Sequence, residues 1–173
     1  SGTLKLNVPL SFGVRHLSPL WPRFLAQYPD LRLEMVLTDQ TADLMEEGFD
    51  LAIRIRRLRD SSLVARKLAE TRVLMVASPT YLQQHGTPAK LADLIHHHCL
   101  SYSYSSQRDE WEVVHRPSGK SERIAFHSRM RANNGDVLTE AARQGMGISM
   151  APTFLVGDDL KQGTLVQVLP EYE

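Results

Sequence analysis

The stretch Leu4–Leu37, LKLNVPLSFGVRHLSPLWPRFLAQYPDLRLEMVL, decides the fold. Leu4, Leu6 and Val8 alternate as a short strand, and Pro9 stops it. Leu17, Leu20, Trp21, Phe24, Leu25 and Tyr28 then recur at i, i+3, i+4, i+7, i+8 and i+11, one apolar helix stripe closed by Pro29. This spacing predicts a helix over 16–28. Leu31, Leu33, Met35 and Leu37 alternate with Arg32, Glu34 and Val36 as a second strand. Asp39 and Thr41 are cap-type residues before a short helix ending at Gly48, and residues 50–55 supply a third strand. Strand, helix, strand, helix, strand with short links implies α/β structure: a parallel sheet with right-handed crossovers.

Working outward, Val73 to Ala77 form a continuous apolar run that suits a buried strand and marks the crossing into a second lobe. Ser78 and Pro79 fit N-cap and N1 of a helix through Tyr81 and Leu82 that Gly86 ends. A helical turn is expected over 91–95, with strands near 99–102, 112–115 and 123–126 and an exposed Ser- and Tyr-rich loop over 101–110. A helix from Asn134 or Gly135 to Gly145, a strand at 148–151 interrupted by Pro152, and a last strand over 165–168 complete the chain. The expected division is a first lobe of 1–73, to which 152–173 return, and a second lobe of 74–151.

Composition narrows the function. The 173 residues carry 20 Lys and Arg against 20 Asp and Glu, so the chain has no electrostatic footprint for nucleic acid. A single cysteine, Cys99, cannot form an internal disulfide and fits a reducing compartment. No apolar run reaches the roughly 20 residues that cross a bilayer, and Ser1-Gly2-Thr3-Leu4-Lys5 is not a signal peptide. The expectation is a soluble, cytoplasmic protein without membrane partners.

In open parallel sheets, ligands bind beyond the carboxyl ends of the strands. Three turns there carry suitable residues: Pro9-Leu10-Ser11-Phe12-Gly13, Asp39-Gln40-Thr41 and Asn133-Asn134-Gly135-Asp136. Helix capping alone also accounts for each of them. Arg54 and Arg56 alternate with Ile53 and Ile55 and share one side of their strand, whose carboxyl end is a place for a guanidinium fork to meet an anion. A solvated strand exit accounts for Arg57 and Arg59.

Catalytic readings fail. His96-His97-His98 beside Cys99 has no second ligand set at zinc spacing, so structural or solvent-facing histidines are the reading, with no metal and no cofactor. Gly145-Met146-Gly147 follows a helix and lacks a third glycine, and there is no G-x-S-x-G elbow or P-loop. No motif supplies Ser11 with an activating base, although His16 is near in sequence, and Asp43, Glu46 and Glu47 read as a solvated helix face. An enzyme is not expected.

The whole chain resembles the effector-binding domain of LysR-type transcriptional regulators. The resemblance rests on Pro9-Leu10-Ser11-Phe12-Gly13, on Glu47-Gly48-Phe49-Asp50-Leu51-Ala52-Ile53-Arg54-Ile55 and on Asp60-Ser61-Ser62-Leu63-Val64-Ala65-Arg66. Ala77-Ser78-Pro79 with Tyr81-Leu82, Ala132-Asn133-Asn134-Gly135-Asp136, Gly145-Met146-Gly147-Ile148 and Gly163-Thr164-Leu165-Val166 extend it. It implies two Rossmann-like lobes joined by two crossover strands, as in type 2 periplasmic binding proteins, with a small metabolite entering the cleft between them. The implied contacts are Ser11 and Phe12, the turn holding Thr41, and, in the other lobe, Ser101 with Asn133 or Asn134. Arg54 and Arg56 add a preference for a carboxylate effector. The resemblance also implies an antiparallel homodimer in which the helix over 16–28 packs on the partner, a tetramer for the full-length protein, and DNA contact only through a winged helix-turn-helix outside this chain.

The chain departs from the pattern with Arg56 in place of a glycine, with Leu91 in place of a proline, and by stopping before a closing segment, as a fragment would. A solute-binding protein of a transport system, with the same fold, is the alternative reading. A signal peptide upstream would support it, and a helix-turn-helix upstream would support a regulator.

Overall fold

The structure, a computed structural model, describes residues 2–40, 48–55, 64–105 and 109–173. Contacts divide the chain into two units, Ser1–Ala69 and Glu70–Glu173, so the boundary falls a few residues before the expected 73/74.

In the first unit, β1 (Gly2–Val8) is flanked by β2 (Leu31–Leu37) and β3 (Leu51–Ala52), both parallel to it. Pro9 ends β1 as expected, and the chain turns directly into helical structure that runs from Leu10 to Gln27. It is one stretch in three geometries: α1 (Leu10–Phe12), a π turn over Gly13–Leu17, a 3-10 turn over Ser18–Leu20, and α2 (Trp21–Gln27). The prolines explain the irregularity. Pro19 and Pro22 have no N–H to donate one turn back, so the α-helical ladder is interrupted twice. The Ser18 backbone N–H reaches Gly13 O instead, and its hydroxyl donates to the same carbonyl at 3.1 Å. Of the predicted stripe, Leu17, Trp21, Phe24 and Leu25 are partly buried, whereas Leu20 and Tyr28 are exposed.

Gly13 lets this helical stretch sit against the sheet: a Cβ there would meet Leu37 Cδ2 at 3.0 Å and Val8 Cγ2 at 3.1 Å. The third strand is shorter than 50–55, but the Ile53 N–H still donates to Asn7 O at 2.9 Å. The short helix expected before Gly48, the acidic residues Asp43, Glu46 and Glu47, and Arg57 and Arg59 lie outside the described residues.

The second unit holds a five-stranded sheet in the order β10-β4-β9-β5-β8, with β4 (Val73–Ala77), β5 (His98–Tyr102), β8 (His127–Ala132), β9 (Ile148–Pro152) and β10 (Val166–Gln167). β4 runs antiparallel to β9 and β10, while β5 is parallel to β8 and β9. Strands β6 (Glu110–His115) and β7 (Lys120–Ala125) form a separate antiparallel hairpin. Alternation along the strands makes two cores, one on each face of the sheet. Met75, Ala77, Cys99 and Ile148 join Tyr81 of α3 (Pro79–His85), Leu91 and Leu94 of a 3-10 turn (Leu91–His96), and Trp111 and Val113 of β6. On the other face Leu74, Val76, Leu100 and Ala151 meet Leu138 and Ala142 of α4 (Gly135–Arg143) and Leu155 and Val156 of α5 (Thr153–Gln162).

Two elements were not anticipated. β8 has only Met130 as a large apolar residue among His127, Ser128, Arg129, Arg131 and Ala132, so its period is hidden, as befits an edge strand. α5 lies between Pro152 and Gly163 and is tied to α4 by a fork: Arg143 Nε and Nη2 donate to Asp159 Oδ1 and Oδ2 at 2.6 and 2.9 Å. The expected return of 152–173 to the first lobe is corrected. Val166 pairs with Ala77 on the β4 edge, the Val168 N–H donates to Met75 O at 2.9 Å, and Leu165 and Val168 are fully buried in the two cores of the second unit. The expected loop over 101–110 is also shorter, because Ser101 and Tyr102 finish β5 and Glu110 begins β6.

Candidate functional site

In the first unit, polar groups gather at the carboxyl ends of β1, β2 and β3. Ser11 is buried on the first helical turn, one residue before Phe12, whose ring lies 5.3 Å from that of His16. The turn is pinned from β2: the Leu10 N–H donates to Asp39 Oδ1 at 3.1 Å, and the Thr38 N–H donates to Val8 O at 2.9 Å. Asp39 is therefore a brace on the β1 turn, a role its cap-type reading did not include. Beside it, Arg54 Nη1 donates to Asn7 Oδ1 at 2.5 Å and to Ile53 O at 3.2 Å. Asn7 is wholly buried, with its Nδ2 lacking a partner among the described residues. The buried amide holds the partly buried guanidinium in place at the sheet's carboxyl edge. Asn7 was missed in the sequence because an asparagine between Leu6 and Val8 reads as an outward strand residue. Thr41 and Arg56 lie outside the described residues.

In the second unit, Ser101 is buried on β5 and pairs in register with Arg131 of β8. Just beyond, the Ser103 N–H donates to Ala132 O at 2.8 Å, and Asn133 Nδ2 donates to the Tyr104 hydroxyl at 3.0 Å. Asn134 is the N-cap of α4, its side chain accepting from the Val137 N–H at 3.1 Å. The structure thus brings Ser101, Asn133 and Asn134 to the neighbouring carboxyl ends of β5 and β8. Capping explains Asn134 and leaves Asn133 exposed with its amide on Tyr104.

Within the histidine run, His97 and His98 are held in the fold and His96 is exposed. The His98 N–H donates to the Tyr81 hydroxyl at 2.9 Å, which directs the hydroxyl proton to His97 Nδ1 at 3.0 Å. His85 stacks on the Tyr81 ring with centroids 4.5 Å apart. Burial lowers the pKa of His97, raises that of Tyr81, and pushes the Cys99 thiol up to about 12, so this thiol is no nucleophile. Among the described residues, no group of three His, Cys, Asp or Glu side chains is placed to hold a metal ion. Gly145-Met146-Gly147 is likewise a packing device, because a Cβ on Gly147 would come within 2.4 Å of His98 O.

Comparison with known proteins gives this arrangement a family. The LysR substrate binding domain family matches residues 1–173. An uncharacterized HTH-type transcriptional regulator of Haemophilus influenzae is 38% identical over 172 residues, covering 99% of this chain and 59% of that protein. The HTH-type transcriptional regulator CrgA of Neisseria meningitidis serogroup C is 33% identical over 170 residues, covering 98% of this chain and 56% of that protein. The chain therefore spans little more than half the length of these curated relatives. Among solved structures, the CrgA regulatory domain from Neisseria meningitidis superposes with a TM-score of 0.81 at 32% identity, over 99% of this chain and 82% of that one. The full-length virulence activator AphB of Vibrio cholerae gives 0.84 at 29% identity, over 99% of this chain and 58% of that one. The α/β architecture is that of these regulatory domains, which have the type 2 periplasmic-binding-protein-like fold. With its entire length matched and its fold shared, the chain belongs to the LysR substrate binding domain family.

Proposed function

We propose that this chain is the sensor of a transcriptional regulator, binding a small carboxylate effector through Ser11, Phe12, Thr41, Arg54 and Arg56 in the first unit and Ser101, Asn133 and Asn134 in the second. The carrying observation is Arg54, a guanidinium held by buried Asn7 at the carboxyl ends of β1 and β3. Its position suits a carboxylate, and the adjoining turn carries the Ser11 hydroxyl. The similar proteins named above are regulators rather than transport proteins, which favours sensing over solute delivery.

On this reading DNA is contacted by a helix-turn-helix domain outside the chain, in agreement with its balanced charge, and no chemical step is catalysed. The protein works in the cytoplasm, where its target DNA is. Two copies pair through the segment 16–28, whose Leu20 is 55% and Tyr28 53% exposed, and the full-length protein forms a tetramer. A thermal-shift screen of small metabolites tests the sensor. A carboxylate should raise the melting temperature, and Ser11→Ala, Thr41→Ala and Arg54→Gln should each remove most of that rise. Stabilisation that none of the three substitutions changes would refute this site.

A further inference from the structure

The outer edge of the second sheet departs from regular structure at one place in three independent ways. The pairing of β5 with β8 skips a residue, since Cys99 faces Ser128 and Leu100 faces Met130, which leaves Arg129 as the extra residue of a β-bulge. Bulges re-aim side chains and are frequent beside binding sites. Asp109, which leads into β6, has a φ of 54°, a left-handed conformation held here by a residue with a carboxyl group rather than by glycine. Among the described residues, two buried side-chain atoms here have no partner, Asp109 Oδ1 and Arg131 Nη1, although Arg131 Nη2 donates to Ser103 O at 3.4 Å. Native folds rarely leave such groups orphaned.

The three irregularities share one cavity. Asp109, Ser128, Arg129, Met130 and Arg131 line an open space of about 250 Å³. The space is open to solvent and several times the roughly 30 Å³ share of one water, so it has room for a small molecule. The lining also prescribes the chemistry of an occupant. A guanidinium only donates and a carboxylate only accepts, so a molecule that satisfies both must carry an acceptor and a donor close together. Two arginines against one aspartate leave an excess positive charge, which requires the acceptor to be anionic.

We propose that this cavity binds a small carboxylate with a neighbouring hydroxyl or ammonium group, the carboxylate taken by Arg131 and Arg129 and the donor by Asp109. All five lining residues belong to the second unit and differ from those named for the effector, although Ser101 of that set pairs in register with Arg131.

The test is calorimetric or NMR titration of the whole chain with lactate, serine and propionate. Lactate or serine should bind at least tenfold more tightly than propionate, which has the anion without the donor. Arg131→Gln should weaken that binding at least tenfold. Asp109→Gly should do the same while leaving the fold intact, because glycine adopts this φ readily. Asp109→Asn separates the two sources of the donor: it keeps an acceptor for lactate but loses the charge that holds the ammonium of serine. Lys161→Gln, on an exposed pair with Asp158, is the control and should change nothing. The proposal is overturned if neither lactate nor serine binds at millimolar concentration, if propionate binds equally well, or if Arg131→Gln leaves binding intact. Binding that Ser11→Ala removes and Arg131→Gln does not would assign the probe to the first unit and overturn this site while sparing the sensor reading.

Discussion

The two units of the chain hold similar polar turns on very different foundations. In the first, Leu6, Val8 and Pro9 are the buried apolar side chains among the described residues, and strand β2 has none, its residues alternating between partly buried and exposed. In the second, two cores of 12 and 9 buried residues cover both faces of a five-stranded sheet. The second unit therefore carries its own hydrophobic stabilisation. The first is held to a larger degree, among the described residues, by polar ties such as Lys5 to Asp50, Leu10 to Asp39 and Asn7 to Arg54, and its helical stretch leaves Val14 and Leu20 exposed. A thin core with a fixed cation suits a part that must respond to a ligand, because regions with few buried contacts are the ones that rearrange at low cost.

Substitutions can break this contrast. The largest effect should come from Leu100→Ala, which empties a fully buried position of the second core and costs about 3 kcal/mol. Leu33→Ala on partly buried β2 should cost only about 1 kcal/mol. Denaturant unfolding measures both, and equal losses would end the distinction between the units. Next is Asp159→Ala, which strips the fork from Arg143 and should cost about 2 kcal/mol, less than a fully buried pair because Arg143 keeps 26% of its side-chain exposure. If its loss is no greater than that of an exposed pair such as Lys161 with Asp158, the α4–α5 tie is not structural.

A smaller change tests the overlap of capping and binding. Asn134→Ala should cost about 1 kcal/mol through the lost α4 cap, and Asn134→Ser should restore most of it. An effector whose binding is lost in the serine variant as well makes Asn134 a contact in its own right. The smallest effect at neutral pH, growing in acid, belongs to His97. Its folded pKa is lowered by burial, so the neutral form stabilises the fold in full above the ordinary value of 6.5, and stability falls as pH drops through the lowered folded value. Thermal unfolding between pH 7 and pH 5 should show this slope, and His97→Gln should flatten it in part, the remainder coming from His98, whose pKa is lowered in the same direction. A slope unchanged in that variant would mean that acid acts elsewhere.

Period and punctuation made much of the fold legible. Leu4, Leu6 and Val8 before Pro9, the run Val73 to Ala77, and Ser78-Pro79 before Tyr81 each became the element they suggested, because burial on one face imposes the spacing. The π and 3-10 turns between Gly13 and Leu20 were hidden, since the apolar stripe has the same spacing whether or not Pro19 and Pro22 interrupt its hydrogen bonds. The edge strand β8 was hidden for the converse reason: a strand with one neighbour needs no apolar alternation to stay in place.

The candidate site divides the same way. Ser11, Ser101 and Asn134 could be chosen from the sequence because strand-to-helix turns are local events signalled by nearby residues. That Asn7 would reach across 47 positions to Arg54, that Asp39 would brace the Leu10 turn, and that Asp109 and Arg131 would line one cavity depends on pairings far apart in the chain. The sequence by itself determined the α/β class, the strand-to-helix turns and a resemblance covering the whole chain. Only the tertiary structure decided where 152–173 pack, which polar groups meet and which are left unsatisfied, because strand order and register are set by the fit of whole surfaces rather than by any local pattern.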